Sequence, residues 1–290
     1  MVSSQPDWAP KPGEYVRRTR RRSPGASAAP SAPGRAREQW TAEERLRFED
    51  TGVTWQPFEV NEIRPSNVER SRHRFRAHLP ELIWNTAALE GNNFTLPEVK
   101  TLLEGVTVGG KKLEDAEQII ALSEAYSRLD EMAGAGRFSL SKDVSDELHY
   151  LVARHEAIEA GAFRGEGKAH GGGTVRLASG GVVPGTEHGE GGALLRQHFA
   201  SLTDYLKTVS DPRRRALIYF ASAVRRQFYF DGNKRTARLM MTGELMSGGY
   251  DIVSVPYSRK LEFNNVLDVL FDLDDATELL RFLSTCTLPD

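Results

Sequence analysis

Gln227-Phe228-Tyr229-Phe230-Asp231-Gly232-Asn233-Lys234-Arg235-Thr236-Ala237-Arg238 joins the end of one apolar helix to the start of another. Upstream, Pro212–Arg226 carries apolar residues at helical spacing, with Pro212 near its first turn. Downstream, after the glycine turn, the spacing predicts a second helix from Asn233 to about Met246. That helix opens with Lys234 and Arg235, and Arg238 follows one turn later. Cations are unfavourable at a helix start, where free N–H groups and the dipole favour anions. A polyphosphate at the turn removes the conflict, because it neutralises the cations and accepts from the amides. Asp231 beside it suits Mg²⁺, which takes one or two carboxylates together with phosphate oxygens.

Working outward, the chain reads as helix after helix. Pro80–Glu90 places Leu82, Ile83, Trp84, Ala87, Ala88 and Leu89 at helical spacing and stops at Gly91-Asn92-Asn93. Thr95 and Glu98 predict a capping box for the next helix, with Pro97 in its first turn. Further helices are expected over Asp115–Met132, over Lys142 to about Ala157 with His155 inward, and over Ala193–Val209. One or two more fall within Ser258–Thr285. The exception is residues 161–192, which hold twelve of the 26 glycines. There Thr174–Leu177 and Val182-Val183 flank Ala178-Ser179-Gly180-Gly181, a small β-hairpin. With no strand–helix alternation, the fold class is all-α with one hairpin.

Residues 1–38 differ in composition. They hold six of the fourteen prolines and the run Arg17-Arg18-Thr19-Arg20-Arg21-Arg22. Such a stretch buries too little apolar surface to offset its ordering entropy, so a disordered basic tail is expected. The organisation read from the chain is this tail, a helical region over 39–140, and a core over 141–285. Residues 1–40 carry eight basic and three acidic residues, whereas the whole 290-residue chain is at −2. Nucleic acid is therefore disfavoured as a partner except through the Arg17–Arg22 run. No apolar run approaches the ~20 residues of a membrane span, and no signal-peptide core follows Met1. A single cysteine, Cys286, excludes an intramolecular disulfide, and the expected address is cytoplasmic, with delivery into another cell left open.

The stretch Gln227–Arg238 resembles the signature of the Fic (Fic/Doc, or Fido) family, His-Pro-Phe-x-Asp/Glu-Gly-Asn-Gly/Lys-Arg-x-x-Arg. Thr86-Ala87-Ala88-Leu89-Glu90-Gly91 resembles the family's inhibitory motif, Ser/Thr-x-x-x-Glu-Gly/Asn, and lies upstream as in the branch whose inhibitory helix precedes the core. Gly161-Ala162-Phe163-Arg164 resembles the turn before the target-docking flap, and the hairpin falls where that flap belongs. The likeness spans roughly Trp84–Leu283. It implies an all-α Fic domain that uses ATP and Mg²⁺ to transfer AMP to a Ser, Thr or Tyr hydroxyl of a target protein. In those terms Asp231 holds Mg²⁺, and Gly232 and Asn233 cradle phosphates. Arg235 grips the phosphate chain and Arg238 reaches the γ-phosphate. Glu90, one turn after Thr86, pairs with Arg238 in the resting state; a bidentate arginine–carboxylate contact competes with phosphate for the same guanidinium.

Two positions depart from the family pattern. Gln227 stands where the family has its catalytic His, and an amide takes no proton near neutral pH. Loss of general-base catalysis typically costs about 10²–10⁴-fold. His188, His198 and Asp231 are the alternative bases considered. Lys234 stands where a second glycine is usual; the Doc branch shares it, which raises phosphate transfer as the second option. Two further readings stay open, a nucleotide-binding pseudoenzyme and a partner-binding adaptor acting through its basic tail. The oligomeric state is likewise open, since an inhibitory helix can act between subunits.

Overall fold

The computed structural model describes residues 37–289. The Arg17–Arg22 run and nearly all of the expected tail lie outside them. The expected end of that tail, residue 38, falls inside a short 3-10 turn, Arg37–Gln39. The described residues belong to one compact unit, Gly34–Asp290. Among them are eleven α-helices and one two-stranded antiparallel hairpin.

Two helices form the centre. Helix α8 (Pro212–Arg226) and helix α9 (Asn233–Ser247) begin and end close to where the sequence puts them, and they pack along each other's length. Arg235 to Met246 are all buried, so α9 is covered on every side, as expected of a helix at the middle of a domain. Helix α5 (Leu113–Gly134) and helix α6 (Lys142–Ala153) lie against it. Helix α2 (Val68–Ala77) touches α5 and α9, and helix α3 (Leu79–Leu89) packs on α4 (Leu96–Leu103) and α5. Helices on either side of residue 140 thus share one core. Helix α1 (Ala42–Thr51) packs on α7 (Ala193–Thr208), which also covers α8.

Local chemistry sets the boundaries. The Thr95 N–H donates to Glu98 at 2.7 Å, the capping box expected for α4. The C-terminal stretch divides into α10 (Lys260–Leu273) and α11 (Thr277–Ser284), broken at Asp274 with φ 56°. Helix α6 ends at Ala153 rather than near Ala157, which leaves His155 exposed and makes His149 the inward histidine. Strands β1 (Val175–Arg176) and β2 (Val182–Val183) pair in the register Val175↔Val183. Asp268 of α10 accepts the Ala178 N–H at 3.0 Å and the Ser179 N–H at 2.8 Å, pinning the hairpin tip to the helical body.

Gly243 shows how tightly α9 is enclosed. A Cβ there lies 2.2 Å from the Phe138 ring, far inside contact distance. Helix propensity favours alanine over glycine by about 1 kcal/mol, whereas overpacking typically costs about 1–3 kcal/mol. Gly243→Ala is therefore expected to lower the urea midpoint, a net loss that equilibrium unfolding measures.

Candidate active site

The loop between α8 and α9 is built from the inside. Gln227 ends α8 in the left-handed region, φ 52° and ψ 61°, a conformation that ordinarily costs a non-glycine residue roughly 1–2 kcal/mol. Its side chain is satisfied at both ends: Nε2 donates to the Val224 carbonyl at 2.7 Å, and Oε1 accepts from Asn233 Nδ2 at 3.1 Å. Asn233 also accepts the Tyr229 N–H and donates to the Tyr229 carbonyl, at 2.9 and 2.7 Å. One buried amide thereby fixes the loop's first half. Arg164, itself buried, donates through Nε to the Gln227 carbonyl at 2.7 Å and through Nη2 to the Thr186 carbonyl at 2.7 Å.

His149 fixes the second half. Its Nδ1 accepts the Gly161 N–H at 2.9 Å, so Nε2 carries the proton and donates to the Asp231 carbonyl at 2.8 Å. The ring stacks on Tyr229 at 3.7 Å, and burial holds its pKa down at about 4. Tyr229 in turn donates to Asp146 at 2.8 Å. These contacts leave Asp231 presented outward, with its side chain 63% exposed and Oδ1 accepting the Gly232 N–H at 2.6 Å. Gly232 turns the chain into α9 with φ 71°, which glycine adopts without strain.

Glu90, at the C-terminal end of α3, reaches this helix start. Its Oε1 accepts from Arg238 at 2.9 Å and its Oε2 meets Lys234 Nζ at 2.8 Å. The expected bidentate fork with Arg238 is absent; one carboxylate is shared between two cations a single turn apart. Burial pushes the Glu90 carboxyl upward, but Lys234 and Arg238 outweigh it and hold the pKa at about 2. Arg238 consequently spends one nitrogen on Glu90. Its Nε and Nη2 are buried without a hydrogen-bond partner among the described residues. Thr86 joins its hydroxyl to Tyr126 at 2.9 Å, and Lys260 donates to the Ala88 carbonyl at 2.9 Å, so the end of α3 is tied from two sides.

A cleft of about 420 Å³ opens above the loop, a volume in the range of small-ligand sites. Its floor is Gln227 and Phe230–Arg235; the hairpin's Thr174–Ala178 forms one wall and Asn264, Leu267 and Phe271 of α10 another. Glu90 lines this cleft whereas Arg238 does not, so the carboxylate stands between the cavity and a guanidinium with unused donors. That arrangement fits a polyphosphate: helix-start amides and Lys234 lie along one edge with apolar walls beside them, and the spare Arg238 donors are buried behind Glu90. No group of three or more acidic, His or Cys side chains poised for a metal occurs among the described residues. Asp231, exposed on the cleft floor, is a carboxylate that could hold a magnesium ion together with phosphate oxygens.

No family model matches the chain. Curated relatives do: a protein from Drosophila ananassae is 29% identical over 231 residues, and one from Aedes aegypti is 27% identical over 233. Each alignment covers 79% of this chain and 44% of the relative, and both relatives are named protein adenylyltransferase Fic. Among solved structures, a Fic-domain signalling protein from Bacteroides thetaiotaomicron superposes with a TM-score of 0.60 at 23% identity. It covers 84% of this chain and 91% of that one. Fic-1 from C. elegans also gives 0.60, at 24% identity, over 83% of this chain and 67% of that one. The chain is similar to Fic proteins in sequence and shares the fold of Fic-domain structures. It spans less than half the length of the curated Fic relatives it matches.

On this Fic-like fold the residues singled out in the sequence converge, with distinctions among them. Gln227, Asp231, Gly232, Asn233, Lys234, Arg235 and Glu90 all line the cleft. Arg235, however, is held by Glu156 through two contacts of 2.7 Å and by the Val152 carbonyl at 3.0 Å, which makes it a tie between α9 and α6 in this state. The Asn233 side chain faces the loop backbone, leaving its N–H as the group available to a phosphate. Neither His188 nor His198 lines the cleft. His149 and Glu156 escaped the sequence reading, and Arg164 entered it only within the turn before the hairpin, because their partners are distant in the chain; only the buried spacing Ser145–His149–Val152 on α6 hints at the first.

His149 supplies a pH test. Its folded pKa lies below the usual 6.5, so between about pH 4 and 6.5 the unfolded chain binds a proton that the folded chain refuses. Stability is complete above pH 6.5 and declines as pH falls through this window, by up to about 3 kcal/mol. His198 shifts in the same direction. Urea unfolding at pH 7 and pH 4.5 is expected to show a smaller pH-dependent loss in His149→Gln than in the wild type.

Proposed function

We propose that this chain is an autoinhibited protein-modifying transferase that uses ATP and Mg²⁺ to move AMP, with phosphate as the second option, onto a target hydroxyl. The observation that carries the reading is Glu90 shared between Lys234 and Arg238 at 2.8 and 2.9 Å, a carboxylate in the place of a phosphate. The names of the adenylyltransferase relatives support the reaction class.

In the open state Lys234 and Arg238 bind the outer phosphates, the first-turn N–H groups of α9 bind the phosphate chain, and Asp231 holds the magnesium ion. Bound magnesium neutralises charge on the phosphate oxygens. The hydroxyl oxygen of a Ser, Thr or Tyr forms a bond to the α-phosphorus while the bond to the bridging oxygen breaks and pyrophosphate leaves. Gln227, its amide engaged by Val224 and Asn233, takes no proton. Of the three carboxylates lining the cleft, Glu90 is engaged by cations, Asp268 by the hairpin and Asp231 by the metal it would hold, so the hydroxyl proton leaves to water. Phosphoryl chemistry tolerates a weak base, because its loose transition state depends chiefly on positioning and charge. The hairpin, pinned by Asp268, is the surface against which the target segment docks.

Gln227 also favours a second reading, a nucleotide-binding pseudoenzyme, since its amide is committed at both ends. Label transfer from α-³²P and γ-³²P ATP into a lysate separates the two. The transferase reading expects α-label with Glu90→Gly, increased by about 10²–10⁴-fold when Gln227→His is added. Label from γ alone identifies phosphate transfer. Tight nucleotide binding with no label in either variant supports the pseudoenzyme and overturns the transferase.

Lys234 is expected to act twice, on Glu90 at rest and on phosphate when open. In the Glu90→Gly background, Lys234→Met should weaken ATP binding by about tenfold, the effect of one charge-assisted contact. With Glu90 present the penalty should be smaller, because the same substitution also frees half of the carboxylate. Calorimetric titration of the four proteins measures that non-additivity.

A further inference from the structure

A second cleft, of about 370 Å³, lies where the end of α8 meets α1 and the segment after the hairpin; Gly52, Pro184, Thr186, Arg225, Arg226 and Asp274 line it. Arg226 is the residue that needs explaining. It is 8% exposed, yet it forms no ion pair among the described residues. Its Nε is buried with no hydrogen-bond partner there, and its Nη2 has only a long contact, 3.4 Å, to the Glu49 carbonyl.

Nearby acids do not supply the missing charge. Asp274 gives Oδ1 to Arg225 at 2.5 Å and Oδ2 to Arg37, whose Nε lies at 3.1 Å, so its two oxygens already serve two guanidinium groups. Glu187, exposed at the edge of the cleft, forms no ion pair among the described residues. Arg225 and Asp274 are the charged groups felt at Arg226, and burial is the largest influence: its pKa is pulled down to about 10. A buried, unpaired cation ordinarily costs several kcal/mol. The backbone nevertheless makes room for it. Gly52, ending α1 with φ 81°, lies flat against the guanidinium, and a Cβ there falls 2.2 Å from Arg226 Nε.

We propose that this cleft binds a small oxyanion, a carboxylate or a phosphate group, with the Arg226 guanidinium as its principal ligand. The site is separate from the nucleotide cleft, whose walls include neither Arg226 nor any other residue lining this one. Arg164 forms the partition, holding the carbonyls of Thr186 and Arg226 on one side and of Gln227 on the other. An arginine fork suits planar carboxylate and tetrahedral phosphate alike, and the volume admits a ligand considerably larger than either group alone.

The test titrates the full chain by calorimetry with inorganic phosphate and, separately, with succinate, at constant ionic strength set by chloride. Saturable uptake of at least one anion is expected, weakened at least about tenfold in Arg226→Gln, weakened less in Arg226→Lys, and preserved in Lys234→Met. Phosphate uptake alone assigns a phosphorylated ligand; succinate uptake alone assigns a carboxylate. Should Arg226→Gln not fold, Arg226→Lys carries the comparison. Absence of saturable uptake of both anions by the wild type overturns the proposal. So does uptake that is unchanged in the Arg226 variants, or that is lost in Lys234→Met, which locates the anion in the nucleotide cleft instead.

Discussion

One carboxylate between two cations sets the character of this molecule. The start of α9 gathers free amide N–H groups, Lys234 and Arg238 at a place where the helix dipole is already positive. Left without an anion, that end repels itself. Glu90 resolves the conflict within the chain by contributing its two oxygens, one to each cation. The depressed pKa of Glu90 reports the same balance from the acid's side, since burial alone raises it. On the reading proposed above, a site arranged this way is charged for a ligand and holds Glu90 in its place.

The substitute works because everything around it is fixed. Asn233, His149 and Arg164 each tie the 227–232 loop by its backbone, so the loop does not depend on the ligand for its shape. Arg235 ties α9 to the Val152 carbonyl of α6 and to Glu156 just beyond it, and Lys260 with the Thr86–Tyr126 pair holds the end of α3 at the helix start. Under the proposed function, exchange of Glu90 for a nucleotide would require displacement of one side chain and the turn that bears it, with the cradle already in place. Preorganisation of that kind is what phosphoryl chemistry asks of a protein.

Much of this was legible in the sequence. The Pro212 start, the Gly232 turn and the apolar spacing on both sides bound α8 and α9 closely, because caps and turns are local chemistry. The hairpin was legible for the same reason, from its Gly-rich turn between short β-branched pairs. Helix α2 was not: Val-Glu-Arg-Ser-Arg-His-Arg-Phe-Arg-Ala offers two buried residues, and its Arg72–Asp130 and Arg74–Asp251 pairs reach 58 and 177 positions along the chain. In the site, Glu90 was visible through its motif, whereas its division between Lys234 and Arg238 depends on where α3 ends against α9. The role of His149 was hidden too, since a histidine among apolar spacings gives no sign of a carbonyl 82 residues away.

The central claim is that Glu90 occupies a phosphate position, and the affinity for ATP tests it most directly. Calorimetric titration with ATP and Mg²⁺ at pH 7.5 is predicted to give at least about tenfold tighter binding in Glu90→Gly than in the wild type, since both Lys234 and Arg238 become available. Equal affinity in the two proteins, or no binding in either, contradicts the account.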